Sequence, residues 1–121
     1  MRTPTEVFED HLQRQAERDL EGDLRENYDT ACVLIASSGV YRGHEGVRAH
    51  CGHLYGRMPS ARWRYDIKRV HGKYALLEWT AHDDGAAIED GSDSFVIENG
   101  KIVAQTVHYT ARHADGRTET A

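Results

Sequence analysis

Eight histidines in 121 residues are the groups best suited to proton transfer near neutral pH, so their spacing comes first. His11 stands four residues before Gln15, which puts an imidazole and an amide on one helix face at a pocket rim. A solvated helix histidine is the other reading of the same residue. His50 and His53 share one turn with Cys51 between them, and a pair at that spacing could touch one metal ion. No third ligand stands at a diagnostic distance, so no metal site is expected. That turn reads as helix surface, and Cys51 as a small buried residue rather than a nucleophile. His82 and His108 are acids or bases by type alone. Tyr28 and Tyr109 add two phenols, and His11, Tyr28 and Tyr109 form the candidate catalytic set. Trp63, Tyr65 and Trp79 are aromatics of the kind that line a pocket. They serve equally well as plain core.

Other chemistry is excluded by the motifs it would need. The chain has no P-loop, GxGxxG, HExxH or GxSxG, and no cofactor is expected. Two cysteines, Cys32 and Cys51, make neither a disulfide framework nor a CxxC pair. A formal net charge of -5 argues against a nucleic-acid binder. No apolar run approaches the roughly 20 residues of a membrane span. The first residues carry no apolar leader, so a cytoplasmic location is expected.

The elements that would position these side chains follow from capping and periodicity. Thr3, Pro4 and Glu6 make a helix start with a capping box. The apolar stripe Val7, Phe8, Leu12, Ala16, Leu20 carries that helix to about Glu21. Gly22 reads as its break, with a short second helix over 23–28. Cys32 to Ala36 is a strand apolar on both faces. After the Ser37-Ser38-Gly39 turn comes Val40 to Gly43, then a third helix over about 44–55. The second half is all strand: Arg62 to His71, Tyr74 to His82, Ser92 to Glu98, and Lys101 to about Ala111. Asn99-Gly100 is a strong hairpin signal, and Gly72 marks a left-handed turn. Residues 113–121 read as a flexible tail of a single domain spanning 1–121. Large aliphatics and Phe number only 22, a thin core that a partner subunit or a ligand would complete. Residues 57–73 hold six Lys or Arg, and residues 74–100 hold seven acids and no Lys or Arg. Antiparallel neighbours would set these opposite charges side by side.

The order of these pieces carries a resemblance. Its marks are Gly22-Asp23-Leu24, Tyr28-Asp29, Val33-Leu34-Ile35 and Val40-Tyr41-Arg42-Gly43. Glu78-Trp79-Thr80 and the run Asp93 to Val103 complete it. Over roughly residues 4–112 the chain resembles the NTF2-like superfamily, in its SnoaL-like and ketosteroid-isomerase-like branch. The resemblance implies an α+β, cystatin-like cone: N-terminal helices packed on a curved, mainly antiparallel sheet. It also implies a concave pocket and a convex-face homodimer. The fold hosts several reactions and silent domains alike. Carried over residue by residue, the proton-abstracting Asp of the isomerases falls on Ala36. Their oxyanion Tyr falls on Gln15, and the acid of the SnoaL-like cyclases falls on Val107. The protonated Asp of the isomerases falls on Asp93 or Ser94. A two-residue Asn99-Gly100 loop pairs Ser94 with Gln105. Matching the last strand to the family implies that Val103, Gln105, Val107 and Tyr109 face inward, and that register then puts Ser94 inward and Asp93 outward. A bulge reverses that assignment.

The expectation is therefore a SnoaL-like domain whose pocket, lined by Gln15, Trp63, Trp79, Ser94, Gln105 and Tyr109, takes a small apolar molecule. The alternative is a cofactor-free isomerase, cyclase or lyase acting on a small carbonyl-bearing or polyketide-like substrate.

Overall fold

The computed structural model describes residues 1–121. Three helices, α1 (Pro4–Ala16), α2 (Leu20–Asn27) and α3 (Gly43–Arg57), pack on one face of a sheet. Its strands are β1 (Tyr28–Ala36), β2 (Gly39–Arg42), β3 (Arg62–His71), β4 (Tyr74–His82), β5 (Ala86–Glu98), β6 (Lys101–His108), β7 (Thr110–His113) and β8 (Thr118–Thr120). The main sheet runs β2-β1-β6-β5-β4-β3, with β7 continuing along β5 and β8 beside β7. Only β1 and β6 pair in parallel. No helix is long and apolar enough to cross a membrane.

Thr3 caps α1, and Glu6 closes the capping box. The buried face of α1, Val7, Phe8, His11 and Leu12, lies across β3 to β6. There Phe8 meets Phe95 edge-on at 5.5 Å.

The helical break lies at Glu17 to Asp19, three residues before Gly22. Arg18 takes a left-handed φ of 58°, and Asp19 caps α2 by accepting from the Gly22 amide at 3.0 Å. Arg14 clasps Asp19 at 2.8 Å. Gly22 thus sits inside α2, where a Cβ would lie 2.1 Å from the Asp19 carboxylate. Glycine there makes room for the cap rather than ending a helix.

The β5–β6 hairpin turns at Asn99-Gly100, both with positive φ, and Glu98 faces Lys101. The register then slips between Ile97 and Val96, with Val103 as the extra residue of a bulge, so Phe95 pairs with Gln105 and Asp93 with Val107. This corrects the expected register. Asp93 turns inward and Ser94 outward, where its hydroxyl bonds Thr106. Packing explains the choice, because Phe95 and Ile97, the bulkier members of the strand, share a face with Asp93 and are buried with it. Gln105, Val107 and Tyr109 point inward as expected, and Val103 does not.

Strand β5 begins six residues earlier than expected, and its first part pairs with β7. Residues 113–121, expected as a flexible tail, include β8. Ala121 exchanges two backbone hydrogen bonds with Tyr109, each 2.9 Å.

Candidate functional site

The inner face of the sheet carries two linked regions. The floor lies at the level of Phe95 and Gln105, and the mouth lies at the level of Tyr109.

At the floor, His11 is buried between the rings of Phe95 at 5.2 Å and Tyr28 at 5.7 Å. Its Nδ1 is 2.8 Å from the Asp23 carboxylate. Asp23 also accepts from Asn27 Nδ2 at 2.8 Å. Asn27 is tied in turn to Arg2 and Asp10, each at 2.8 Å. A carboxylate only accepts, so Nδ1 of His11 carries the proton and Nε2 is the atom that gains or loses one. Nε2 is buried and has no partner. Burial alone would push the imidazole down. The Asp23 charge and hydrogen bond, with Asp93 and Asp10 farther off, raise it above its ordinary value.

A second acid completes the floor. Asp93 is 3 % exposed and accepts from Trp79 Nε1 and Gln105 Nε2, each at 2.9 Å. Tyr28 donates its hydroxyl to Gln105 Oε1, which fixes the amide's orientation. Burial pushes Asp93 up to about 6 against the opposing pull of Trp79, His11 and Gln105. Gly91 makes this possible, because any Cβ there would lie 2.3 Å from the Trp79 ring.

Aromatic rings connect floor to mouth. Trp79 lies 5.3 Å from Trp63 and 5.8 Å from Tyr109, and Trp63 lies 6.3 Å from Tyr55. Trp63 Nε1 is a second buried donor without a partner. Tyr65 donates to Leu12 O at 3.2 Å and approaches Gln15 Oε1 at 3.4 Å. Burial raises the Cys51 thiol and the Tyr55 phenol, with the Asp23 charge adding to both. It pushes Tyr65 and Tyr109 up to about 12. These groups face the interior in neutral form. The mouth holds a cavity of about 290 Å³ lined by Ser38, Tyr41, His50, His53, Tyr109 and the segment from Glu119 to Ala121.

The structure brings Trp63, Trp79, Gln105 and Tyr109 together with Tyr28 and His11. It removes Ser94 to the outer face. Gln15 is half-buried at the rim against Tyr65 rather than beside His11's free nitrogen. His108 is exposed, within 3.7 Å of Asp90, and His53 is exposed on Glu119 at 2.7 Å. His50 is buried and lines the mouth, which corrects its reading as helix surface. No cluster of three His, Cys, Asp or Glu residues could hold a metal ion. Ala36 and Val107, onto which the acids of the isomerases and the SnoaL-like cyclases fall by resemblance, are sheet partners and neither is an acid. Sequence reasoning missed Asp23 and Asp93 as floor residues. For Asp93 the signal was available, since it shares strand parity with Phe95. For Asp23 none was, because only the tertiary fold brings α2 to His11.

A family model described as a SnoaL-like domain matches residues 8–105. An NTF2-like protein of unknown function from Burkholderia pseudomallei superposes with a TM-score of 0.75, at 18 % identity over 90 % of this chain and 92 % of that one. One from Burkholderia xenovorans gives 0.71 at 20 % identity, over 88 % and 81 %. A protein from Sinorhizobium meliloti, provisionally named a polyketide cyclase, gives 0.70 at 14 % identity, over 84 % and 93 %. No curated protein sequence matches the chain.

Proposed function

This chain belongs to the SnoaL-like domain family, and from that premise we propose that it is a cofactor-free acid–base catalyst acting on a small, largely apolar, carbonyl-bearing molecule. One observation carries the proposal. His11 Nε2 stands free and buried while Nδ1 is held by Asp23. An imidazole with one nitrogen fixed by a carboxylate and the other free is the arrangement a general acid or base needs. The aromatic surroundings suit an apolar ligand. Isomerisation, cyclisation and elimination all begin or end with a proton moved beside a carbonyl, and the provisional name of the Sinorhizobium protein lies in that range.

A catalytically silent binding domain is the second reading. It is favoured by the absence of an acid at Ala36 and Val107. A test that needs no known substrate separates the two. A panel of small ketones and β-dicarbonyl compounds is incubated with the protein in heavy water, and deuterium uptake beside the carbonyl is followed by NMR. The proposal expects uptake in at least one compound, falling by about 10²–10⁴-fold in His11→Gln. No enhanced uptake across the panel, or uptake unchanged in His11→Gln, favours the silent domain.

A homodimer belongs to the same proposal. Val40, Ile35, Thr106, Ser94 and Leu76 form one outward row across five paired strands. Ile35 and Val40 within the row, and Tyr74 on the same strand as Leu76, are exposed large apolar side chains. A second copy covering this row would complete the thin core, and native mass spectrometry reads that state directly.

A further inference from the structure

The mouth cavity lies beyond the floor and is built from different residues. Its central polar group is His50, 6 % exposed, whose Nε2 is buried without a hydrogen-bond partner. The His50 ring lies 4.9 Å from Tyr41 and 6.4 Å from Tyr109. Ser38 fixes Tyr41 through a 2.8 Å hydroxyl contact. A buried ring nitrogen with nothing to bond is costly, and the residue that carries it lines a cavity of about 290 Å³. A dry cavity of roughly 150 Å³ accommodates benzene, so this one accommodates a substituted ring.

We propose that the mouth takes a neutral, hydroxyl-bearing ring and that His50 reads the hydroxyl through Nε2. This deepens the small-molecule reading of the cone and rests on it. A hydroxyl both donates and accepts, so it satisfies Nε2 in either tautomer, whereas a carbonyl or ether oxygen satisfies only one. The tyrosine rings supply the apolar walls for the rest of the ligand.

A carboxylate is disfavoured. Burial and the neighbouring His53 hold His50 below its usual range, and so uncharged. At the rim Arg57 is already engaged by Glu119 at 2.9 Å, and His53 bonds the same carboxylate at 2.7 Å. No free positive charge remains on the cavity wall to meet an anion.

Three probes of one size test this: 4-methylphenol, 4-methylanisole and 4-methylbenzoate. Each is titrated at pH 7.5 into protein carrying ¹⁵N-labelled histidine. The phenol should bind about tenfold more tightly than the anisole, as expected for one hydrogen bond to a buried group, and should move the His50 ring resonance. The benzoate should bind most weakly. His50→Phe keeps the aromatic volume and should bind phenol and anisole equally. His50→Gln keeps a polar end and should retain part of the preference, which covers the case in which the Phe variant does not fold. Equal affinity of phenol and anisole in the native protein, preference for the benzoate, no binding at millimolar concentration, or a shift confined to His11 would each overturn the proposal. Phenol binding at His50 without deuterium exchange would leave this inference standing and remove the catalytic one. Exchange without His50 discrimination would do the reverse.

Discussion

The floor and the mouth are both polar sites in an aromatic shell, yet they are built on opposite terms. At the floor nearly every polar atom is spoken for: Asp23, Asn27, Asp93, Gln105, Trp79 and Tyr28 hold one another, and His11 Nε2 is the exception. At the mouth there is space, few internal hydrogen bonds, and a histidine with no partner. The two histidines consequently shift in opposite directions, His11 upward and His50 downward. Burial acts downward on both, and only His11 has a carboxylate to reverse it. One fold thus offers a histidine pushed toward its charged form and one pushed toward its neutral form along one inner face. The floor ties structure to chemistry, and the mouth is free to recognise.

That contrast is broken most severely at Asp23. Asp23→Ala strips His11 of its acceptor and Asn27 of one of its own, leaving a buried imidazole uncompensated. Removing one member of a buried pair costs about 3–5 kcal/mol, so chemical denaturation should show a loss of that size. His50→Phe, at the mouth, should change stability by less than about 1 kcal/mol. Comparable losses at the two sites would erase the distinction drawn between them.

Asp93→Asn sharpens it from the other side. A carboxyl pushed from 3.8 to about 6 costs the folded state about 3 kcal/mol at pH 8, at about 1.4 kcal/mol per unit. The amide removes that charge. Its NH₂ faces Gln105, which must turn over and leave the Tyr28 hydroxyl proton without its acceptor, a penalty of about 1–3 kcal/mol. The net expectation at pH 8 is a gain of about 1 kcal/mol. Well below pH 3.8 Asp93 is protonated in both states, the charge cost is gone, and the remaining penalty should leave the variant about 1–3 kcal/mol less stable than the native protein. A variant less stable than the native protein at pH 8 would mean that the ionised carboxylate is well solvated by its two donors.

The pH dependence of the native protein follows with the same sign. His11 is raised in the folded state, so its contribution is full below the ordinary histidine range. It is lost as pH rises through the elevated folded value. Stability should therefore fall as pH rises above the ordinary histidine value of about 6.5. His11→Gln should flatten that slope, while His50→Phe, which removes a group shifted downward, should steepen it. Parallel slopes in all three proteins would show that neither histidine titrates as assigned.

Much of this was legible in the chain and part was not, for physical reasons. The capping box at Thr3 and Glu6, the Asn99-Gly100 turn and the nearness of Trp63 to Trp79 are local signals, and each places its residues where the structure has them. The β3–β4 register is not among them: a three-residue loop over Val70 to Gly72 would set Trp63 opposite Trp79, whereas the chain turns at Gly72-Lys73 and sets Tyr65 there. The helix break was misplaced because a glycine that accommodates a capping carboxylate looks, in sequence, like one that ends a helix. The register of β6 turned on Val103, one residue whose bulge reverses a strand's two faces and which no dipeptide announces. The floor was the least legible part. His11, Asp23, Asn27, Asp93 and Gln105 lie on four elements, and only tertiary packing gives them a common address.

The smallest expected change in stability tests the deepest question about the two regions. Ala36 is half-buried at the end of β1 and pairs with Val107, at the level of Asp93, which also pairs with Val107. Ala36→Asp therefore sets a carboxylate where related isomerases carry their base, on an inner face that already holds a buried acid and a poised histidine. Ala36 keeps part of its surface exposed at the strand end, so the new carboxylate retains solvent and the cost should stay within about 1 kcal/mol. A mouth that lacks only a base should then raise deuterium uptake by about 10²-fold or more over the native rate, independently of His11→Gln. Uptake unchanged by the new acid, but still abolished by His11→Gln, would mean that this chain moves its proton from the floor and that Ala36 marks a different catalytic solution rather than a lost one. No uptake in either protein would leave recognition at the mouth as what the fold retains.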